Sequence, residues 1–228
     1  MLNEIHNDLL EIYCNRHIGS ISHQCITNES DRGAKVRSIT FETTGELFNI
    51  LNSFICCKQS LFFLDGEQRN LMSHNCDGII IVEYNNQKYI IFLEIKSSYR
   101  TQDISKAQYQ IMSSYYCLLT ELEGLKHFDL GEYKMCCMVA SHPLSEEKKL
   151  MLYKQKMSVG VSKDVELALF FAFHPDSKCD ISRDDMDLLK DKPFKETHMF
   201  STIPMFHLSV NNEEDSGLFN IDKYLSQL

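Results

Sequence analysis

The chain has 228 residues, of which 43% are hydrophobic, and it carries a formal net charge of −9 at pH 7. This length fits one large domain with a sizeable core, and no apolar run approaches the ~20 residues of a membrane-spanning helix. The N-terminus lacks the layout of a signal peptide, and the nine cysteines are an odd number, so we predict a cytoplasmic protein with reduced thiols.

The first 54 residues predict a helix, a loop, a strand and a second helix, in that order. Apolar positions at helical spacing in residues 2–16 indicate an amphipathic helix. Residues 17–34 are polar and predict a loop, and residues 36–41 predict a strand. The run Thr43-Thr44-Gly45-Glu46 then precedes apolar residues at helical spacing, which predicts a helix with a capping threonine and Glu46 in its first turn.

The clearest pattern in the chain is a β-hairpin over residues 77–96. Two apolar runs rich in β-branched residues flank a short polar break, which is typical of two antiparallel strands. If Asn85 and Asn86 form a two-residue turn, the residues on either side of it pair, and the register counts outward. The turn therefore predicts the partner of every residue in both strands.

That register brings two carboxylates and one ammonium group together at the end of the hairpin. Asp77 lies opposite Glu94, and Lys96 shares the same face by the two-residue period of a strand. Two adjacent carboxylates repel unless a cation or a shared proton lies between them, and Mg²⁺ is a typical cation for such a site. A solvated row of charges is the alternative, but apolar residues on both faces of the second strand favour a buried, central strand.

The spacing of Asp77 and Glu94-Ile95-Lys96 resembles the active-site motif of the PD-(D/E)XK nuclease superfamily. The resemblance implies that Asp77 and Glu94 hold Mg²⁺ or Mn²⁺, that Ile95 adds its backbone carbonyl, and that Lys96 assists the attacking water. It also implies a restriction-endonuclease-like core. Cys76 stands where the name of the motif puts proline, a position that is loosely kept across the superfamily.

A helix is predicted directly after the motif, with Asp103 or Ser105 as its N-cap. Many members of the superfamily carry a glutamine on this helix that faces the site. The resemblance therefore implies Gln108 or Gln110 as a further site residue. We rank Gln108 first because it lies nearer the N-terminus of the helix.

Glu46, His74 and Cys76 are further candidates for metal ligands. Many superfamily members add a glutamate from their first helix, which makes Glu46 a candidate third carboxylate, although an acid favoured by the helix dipole is the stronger interpretation. His74 and Cys76 are two residues apart, but no second ligand pair of matching spacing accompanies them, so we predict no zinc site. His74 would instead line the nuclease cleft.

The remainder of the chain completes an α/β pattern, which suits a mixed central β-sheet flanked by helices. We predict strands at residues 135–140 and 199–210, the latter broken at Pro204, and helices at residues 145–157, 180–190 and 217–228. Residues 165–173 fit either a core strand or a buried helix. We predict one nuclease-like domain over residues 1–228, with a core at about 43–140 and a C-terminal α/β extension at 141–228.

The net charge bears on how such a nuclease would hold its substrate. Phosphate contacts dominate nucleic-acid affinity, and a chain with net charge −9 can release few counterions from the phosphates. We expect a metal-dependent nuclease, with DNA ranked ahead of RNA, that works with a partner such as an ATPase or helicase in restriction or antiviral defence. The alternatives are a nuclease-fold binding or regulatory subunit that acts through a protein partner, and a structural or inhibitory protein with a coincidental motif.

Overall fold

Apolar strands form the centre of one mixed sheet. The computed structural model describes residues 2–12, 18–29, 31, 33–51, 75–98, 100–157, 162–182 and 200–228. The strands are β1 (Ser22–Asn28), β2 (Ser38–Leu51), β3 (Gly78–Tyr84), β4 (Gln87–Lys96), β5 (Tyr133–Ser141), β6 (Lys178–Ser182), β7 (Thr202–Ser209) and β8 (Ser216–Asn220). The helices are α1 (Leu2–Ile12), α2 (Thr101–Leu122), α3 (Glu146–Lys156), α4 (Lys163–Phe173) and α5 (Asp222–Leu225), with a 3₁₀ turn at Leu130–Glu132.

The strand order is β1-β2-β3-β4-β5-β7-β6, and β8 pairs in parallel with β2. Strands β1 to β4 are antiparallel neighbours, whereas β4, β5 and β7 run parallel. Parallel neighbours need a crossover, and α2 provides it between β4 and β5. The predicted α/β class with a mixed, helix-flanked sheet is confirmed.

Each face of the sheet has its own apolar core. Alternate residues of β3, β4 and β5 point to opposite faces, as the two-residue period requires. Ile79, Ile81 and Phe92 pack with residues of α1, α2 and α4 on one face. Ile80 and Ile91 pack on the other face with the start of β2 and with α5. Burial on both faces explains why the β4 sequence is a nearly continuous apolar run.

Two predictions for the first 54 residues are wrong. The predicted loop at residues 17–34 contains β1, and the predicted helix that starts near Thr43 is the second half of β2. The reason is tertiary: β2 pairs with β8 and most of β1 up to Glu42 and with β3 from Glu46, so strand ladders hold it on both sides of residues 43–45. The threonines that resemble a helix cap bond instead to Asp222, far away in the sequence.

The C-terminal third also differs from prediction in three places. Residues 178–182 form a strand where a helix was predicted from residue 180, and residues 183–190 lie outside the described part. Strand β7 continues through Pro204, which pairs with Asp180 of the edge strand β6, whereas the ladder with β5 begins at Met205. The predicted C-terminal helix begins as β8, and only Asp222–Leu225 is α-helical.

Several helices predicted after the hairpin are present in the structure. The helix after the motif is α2, although Asp103 lies in its first turn and accepts a bond from the Arg100 backbone instead of being the N-cap. Ser145 caps α3 as predicted, and residues 165–173 belong to a helix. None of the described helices combines the length and the apolar character needed to cross a membrane.

Candidate active site

The hairpin turn has the conformation that the sequence predicts. Asn85 and Asn86 have φ angles of 51° and 60°, which is the left-handed conformation that both central residues of a type I′ turn adopt. Tyr84 pairs with Gln87, and the ladder runs back to the pair of Gly78 with Leu93. One step further along this register sets Asp77 opposite Glu94. The predicted register is confirmed.

Asp77 lies just before β3 and is 9% exposed. Its Oδ2 accepts a hydrogen bond of 2.7 Å from the backbone N–H of Ile95. The N–H and C=O of one strand residue point toward the same neighbouring strand, so the Ile95 carbonyl faces the Asp77 side as well. Burial raises the pKa of Asp77 to about 7, against the opposing effect of the Ile95 bond.

Glu94 is more deeply buried than Asp77, with only 1% of its surface exposed. Its Oε1 accepts a hydrogen bond from the ammonium group of Lys96. Its Oε2 is buried and accepts no hydrogen bond from the described residues. Burial and then the negative charge of Asp77 raise the pKa of Glu94 well above its usual range.

Lys96 joins the two strands to α2. Its Nζ donates to Gln110 Oε1 at 2.8 Å as well as to Glu94. Gln110 Nε2 in turn donates to the backbone carbonyl of Asn75 at 3.0 Å. A glutamine of the helix therefore does contact the Asp77, Glu94 and Lys96 cluster, and that glutamine is Gln110.

Gln108, which was ranked first, has a different position. Two residues along a helix correspond to a rotation of about 200°, so Gln108 and Gln110 point in nearly opposite directions. Gln108 lines a cavity of about 500 Å³ together with residues of α3, α4 and β6. That ranking is wrong because helix rotation, and not distance from the N-terminus, decides which glutamine faces β4.

Ser114 is a further residue of the site, and it was not predicted from the sequence. It lies one helical turn after Gln110 and is fully buried. Its Oγ accepts a hydrogen bond of 2.7 Å from the backbone N–H of Cys76, directly before Asp77. Gln110 and Ser114 together hold the segment that leads into β3. Their spacing of four residues on the predicted helix was the available signal.

Glu46 is not part of this cluster. It is exposed and lies in β2 opposite Glu83, near the turn end of the hairpin. Asp77 lies at the other end of β3, six residues before Glu83, which corresponds to about 20 Å along a strand. Glu46 and Asp77 therefore cannot bind one ion, and the idea of Glu46 as a third carboxylate is wrong.

A different acid, Glu29, lies near the site. The side chain of Thr27 packs so closely on Gly78 that a Cβ there would lie 2.7 Å from Thr27 Cγ2. This contact carries the residues after β1 toward Asp77. Glu29 follows β1, and its Oε1 accepts a bond of 2.8 Å from the backbone of Asp31. Its charge adds to the raised pKa of both Asp77 and Glu94.

The donor set fits a hard divalent cation. Two buried carboxylates and a nearby carbonyl supply oxygen ligands, and one ammonium group leaves a net negative charge among them. Glu94 Oε2 is a buried oxygen with room for one more partner. Among the residues that the structure describes, no group of three histidine, cysteine or acidic side chains is arranged around a metal position. Any cation here would rely on Asp77, Glu94 and backbone or solvent oxygens.

Cys76 and His74 are the remaining candidates for metal binding. Cys76 is buried, and its thiol donates to the Gly78 carbonyl at 3.3 Å. Burial raises the pKa of this thiol, so the thiolate form that binds zinc is disfavoured. His74 lies outside the described residues.

Comparison of this chain with protein-family models, with curated proteins and with solved structures yields no match. The resemblance to the nuclease superfamily therefore rests on Asp77, on Glu94-Ile95-Lys96 and on the glutamine of the following helix.

Proposed function

We propose that this protein is a metal-dependent nuclease of the PD-(D/E)XK type that hydrolyses phosphodiester bonds, with DNA as the preferred substrate. The observation that carries the proposal is the buried Glu94 carboxyl group beside Asp77, one oxygen of which accepts no hydrogen bond from a described residue. Ionisation of a buried carboxyl that is only partly compensated is unfavourable, as the raised pKa of Glu94 reflects, and a bound cation would stabilise the ionised form.

An ion pair that only stabilises the fold explains the cluster less well. Lys96 supplies one positive charge within bonding distance, whereas Asp77 and Glu94 supply two carboxylates on adjacent strands. Purely structural ion pairs are usually matched in charge and have all their polar atoms bonded. The surplus negative charge at the end of the hairpin is what a divalent cation would offset.

Each residue of the cluster has a role in this proposal. Asp77, Glu94 and the Ile95 carbonyl would hold Mg²⁺ or Mn²⁺, and Lys96 would orient water or offset negative charge at the phosphorus. When bound, such an ion acts as a Lewis acid toward phosphate and lowers the pKa of its water. Gln110 holds the ammonium of Lys96 in place, and Ser114 holds the backbone that leads into Asp77.

The charge of the chain supports action as the cutting subunit of a larger complex. A net charge of −9 disfavours tight binding to a polyanion by this chain alone. A basic partner, such as an ATPase or helicase of a restriction or antiviral defence system, would supply the missing contacts. Weak duplex binding by the purified chain at about 150 mM salt is the expected result. Sub-micromolar affinity under these conditions would reject the need for a partner.

The test of the nuclease proposal is cleavage of supercoiled plasmid and of labelled oligonucleotides by the pure chain. We expect cleavage with Mg²⁺ or Mn²⁺ and none with EDTA, and Glu94→Gln should lower the rate by about 10²–10³-fold. Glu46→Gln is the matched control, since it makes the same chemical change in a strand but away from the cluster. Unchanged activity in Glu94→Gln, with contamination excluded, would reject the proposal.

The absence of cleavage by the wild-type protein would support a different function. If the pure chain binds Mn²⁺ through Asp77 and Glu94 but cuts nothing even with its partner present, the protein is a nuclease-fold regulatory subunit. Calorimetric titration of Mn²⁺ into wild-type and Glu94→Gln protein separates this outcome from the absence of any metal site.

A further inference from the structure

The segment between β1 and β2 reaches the candidate site. The backbone N–H of Lys35 donates a hydrogen bond of 3.0 Å to Ser97 Oγ, and Ser97 directly follows Lys96 in the chain. Glu29 begins the same segment, and its charge adds to the raised pKa of both site carboxyl groups. The side chain of Lys35 is exposed. Lys35 therefore lies on the surface that borders Lys96.

Helix α2 borders the site as well. Gln110 Oε1 accepts a hydrogen bond of 2.8 Å from Lys96 Nζ. Lys106 lies one helical turn before Gln110, on the same side of the helix, and is exposed. Burial raises the pKa of Asp77, and the positive charge of Lys106 is one of the effects that oppose this shift. Lys106 is therefore a second lysine beside the candidate site, from a different element.

Acidic side chains also lie in this region, but the protein itself bonds them. The described acidic and basic side chains of residues 29–37, 77 and 94–106 are equal in number: Glu29, Asp31, Asp77, Glu94 and Asp103 against Lys35, Arg37, Lys96, Arg100 and Lys106. Glu29 and Asp31 accept hydrogen bonds from backbone N–H groups of their own segment. Asp103 accepts bonds from the side chain and the backbone of Arg100.

The two lysines differ from these acids. The ammonium groups of Lys35 and Lys106 form no hydrogen bond or ion pair with a described residue, whereas Arg100 is paired with Asp103 at 3.0 Å. The region is neutral within a chain of net charge −9, and a divalent cation at the site would make it positive. The charged groups that remain for a ligand at this border are therefore cationic.

We propose that Lys35 and Lys106 bind phosphate groups next to the scissile one, so that the preferred substrate is a polynucleotide strand and not a small phosphodiester. The role of these lysines rests on the nuclease function proposed for Asp77 and Glu94. A single diester would occupy the metal and Lys96 and would offer no further phosphate to the two lysines. An ammonium group binds phosphate as a point charge, so these contacts would position a strand without reading its sequence.

Two such contacts agree with weak binding by the isolated chain. Each phosphate contact on a single strand releases about 0.7 of a counterion, so two of them add only modest affinity. A basic partner would still supply most of the binding energy. The lysines would decide which bond of the held strand lies over Asp77 and Glu94.

The first experiment compares a labelled oligothymidylate with bis(p-nitrophenyl) phosphate, a single diester, using the full chain and Mn²⁺. Lys35→Gln and Lys106→Gln should each lower the ratio of kcat/KM for the oligonucleotide to kcat/KM for the diester about fivefold, mainly through KM. Lys106→Arg keeps the charge and should keep the ratio. Lys126→Gln is the matched control, because Lys126 is exposed and follows the opposite end of α2, about 24 Å along the helix from Lys106.

The second experiment needs no cleavage. Fluorescence anisotropy of the same oligonucleotide in EDTA, between about 20 and 100 mM salt, gives the slope of log Kd against log salt concentration. Each glutamine variant should lower this slope by about 0.7, and Lys126→Gln should leave it unchanged. Glutamine keeps the backbone bond at residue 35 and the helical propensity at residue 106, so the melting temperature should not change.

Several results would overturn the role of the lysines. An unchanged ratio and an unchanged slope in both glutamine variants would show that neither lysine contacts the strand. Equal losses on both substrates would place the lysines at the reacting phosphate, and an equal loss in Lys126→Gln would show an effect of total charge alone. Displacement of the oligonucleotide by a glutamate peptide as well as by unlabelled DNA would assign the lysines to an acidic protein.

Failure of the nuclease function gives a different result. A wild-type chain that hydrolyses neither substrate with Mn²⁺ would reject that function, while the salt slopes would still decide whether Lys35 and Lys106 contact phosphate. Hydrolysis of both substrates with the same kcat/KM ratio in all variants would support the nuclease function and reject the lysine contacts.

Discussion

Two buried aspartates, Asp77 and Asp222, have the same exposure of 9% and opposite electrostatic states. Asp222 accepts bonds from Thr43 Oγ1 at 2.5 Å, from the Thr44 backbone at 2.9 Å and from Thr44 Oγ1 at 2.7 Å. Burial raises its pKa, but these bonds outweigh burial and leave the pKa below its usual value. Asp77 receives one bond from Ile95, and burial dominates.

Burial alone therefore does not tell whether the protein itself satisfies an acidic side chain. The carboxylate of Asp222 is satisfied by the protein itself, and it ties β2 to the C-terminal helix. Among the described residues, Asp77 accepts one hydrogen bond, from Ile95, and Glu94 Oε2 accepts none. Four predictions test whether the two sites differ in this way.

Metal should stabilise the protein through the first site only. At 100 times its dissociation constant, a bound Mg²⁺ or Mn²⁺ raises the free energy of unfolding by about 2.7 kcal/mol. Thermal melting with and without the metal measures this shift. It should be present in wild-type and Asp222→Asn protein and absent in Glu94→Gln. An equal shift in all three proteins would show that the metal binds elsewhere.

Replacing Asp222, whose carboxylate is satisfied by hydrogen bonds, should lower the stability of the protein without changing the Asp77 and Glu94 site. Asp222→Asn weakens hydrogen bonds from both threonines and should lower the free energy of unfolding by about 2 kcal/mol, as the loss of bonds to a buried charge does. Urea unfolding checks this value. Metal-free Asp77→Asn should be at least as stable as the wild type, because it removes a poorly compensated charge. A destabilised Asp77→Asn would mean that Asp77 serves the fold as Asp222 does.

The two aspartates should also give opposite pH dependence in metal-free protein. The pKa of Asp77 is raised from about 3.9 in the unfolded chain to about 7, so its stabilisation is full at low pH and is lost between roughly pH 4 and 7. The slope is at most about 1.4 kcal/mol per pH unit. Asp222 has a lowered pKa, so its contribution is present above about pH 4 and is lost below it.

The comparison of variants isolates these slopes. Burial lowers the pKa of His207 to about 4, which opposes the Asp77 slope, because the unfolded chain takes up that proton first. The difference between wild type and Asp77→Asn cancels this term and reports the Asp77 titration together with the part of the Glu94 shift that the Asp77 charge causes. A difference that does not change between pH 4 and 7 would contradict the raised pKa of Asp77.

The smallest expected effect is that of Ser114. Ser114→Ala removes the bond to the Cys76 backbone and lets the Asp77 segment shift, so kcat should fall about fivefold, or about 1 kcal/mol, with KM nearly unchanged. Ser114→Thr keeps the hydroxyl and should restore kcat. If Ser114→Ala changes stability but not kcat, Ser114 serves packing alone.

Local chemistry made part of this structure predictable from the sequence. The two asparagines of the turn set the register of the hairpin, and the apolar runs identified β3, β4 and β5. The clustering of Asp77, Glu94 and Lys96 was predictable because their proximity depends only on that register. The capping serine of α3 acts within one helical turn and was equally readable.

Other features depended on residues distant in the sequence. Thr43 and Thr44 have the local pattern of a helix cap, but their partner Asp222 lies 178 residues beyond Thr44. Glu29 reaches the site only because β1 packs on Gly78. The glutamine that faces Lys96 depends on how α2 is rotated against the sheet, which residues 101–122 alone do not encode.

The hairpin, its register and the clustering of Asp77, Glu94 and Lys96 follow from the local sequence, because turn conformation and the two-residue period act over short distances. The folded arrangement alone shows that Gln110 and Ser114 support this cluster, that Glu46 is remote from it, and that Asp222 is satisfied. Those outcomes depend on how separate elements pack, and pairing with distant strands outweighs the local preference of a short segment.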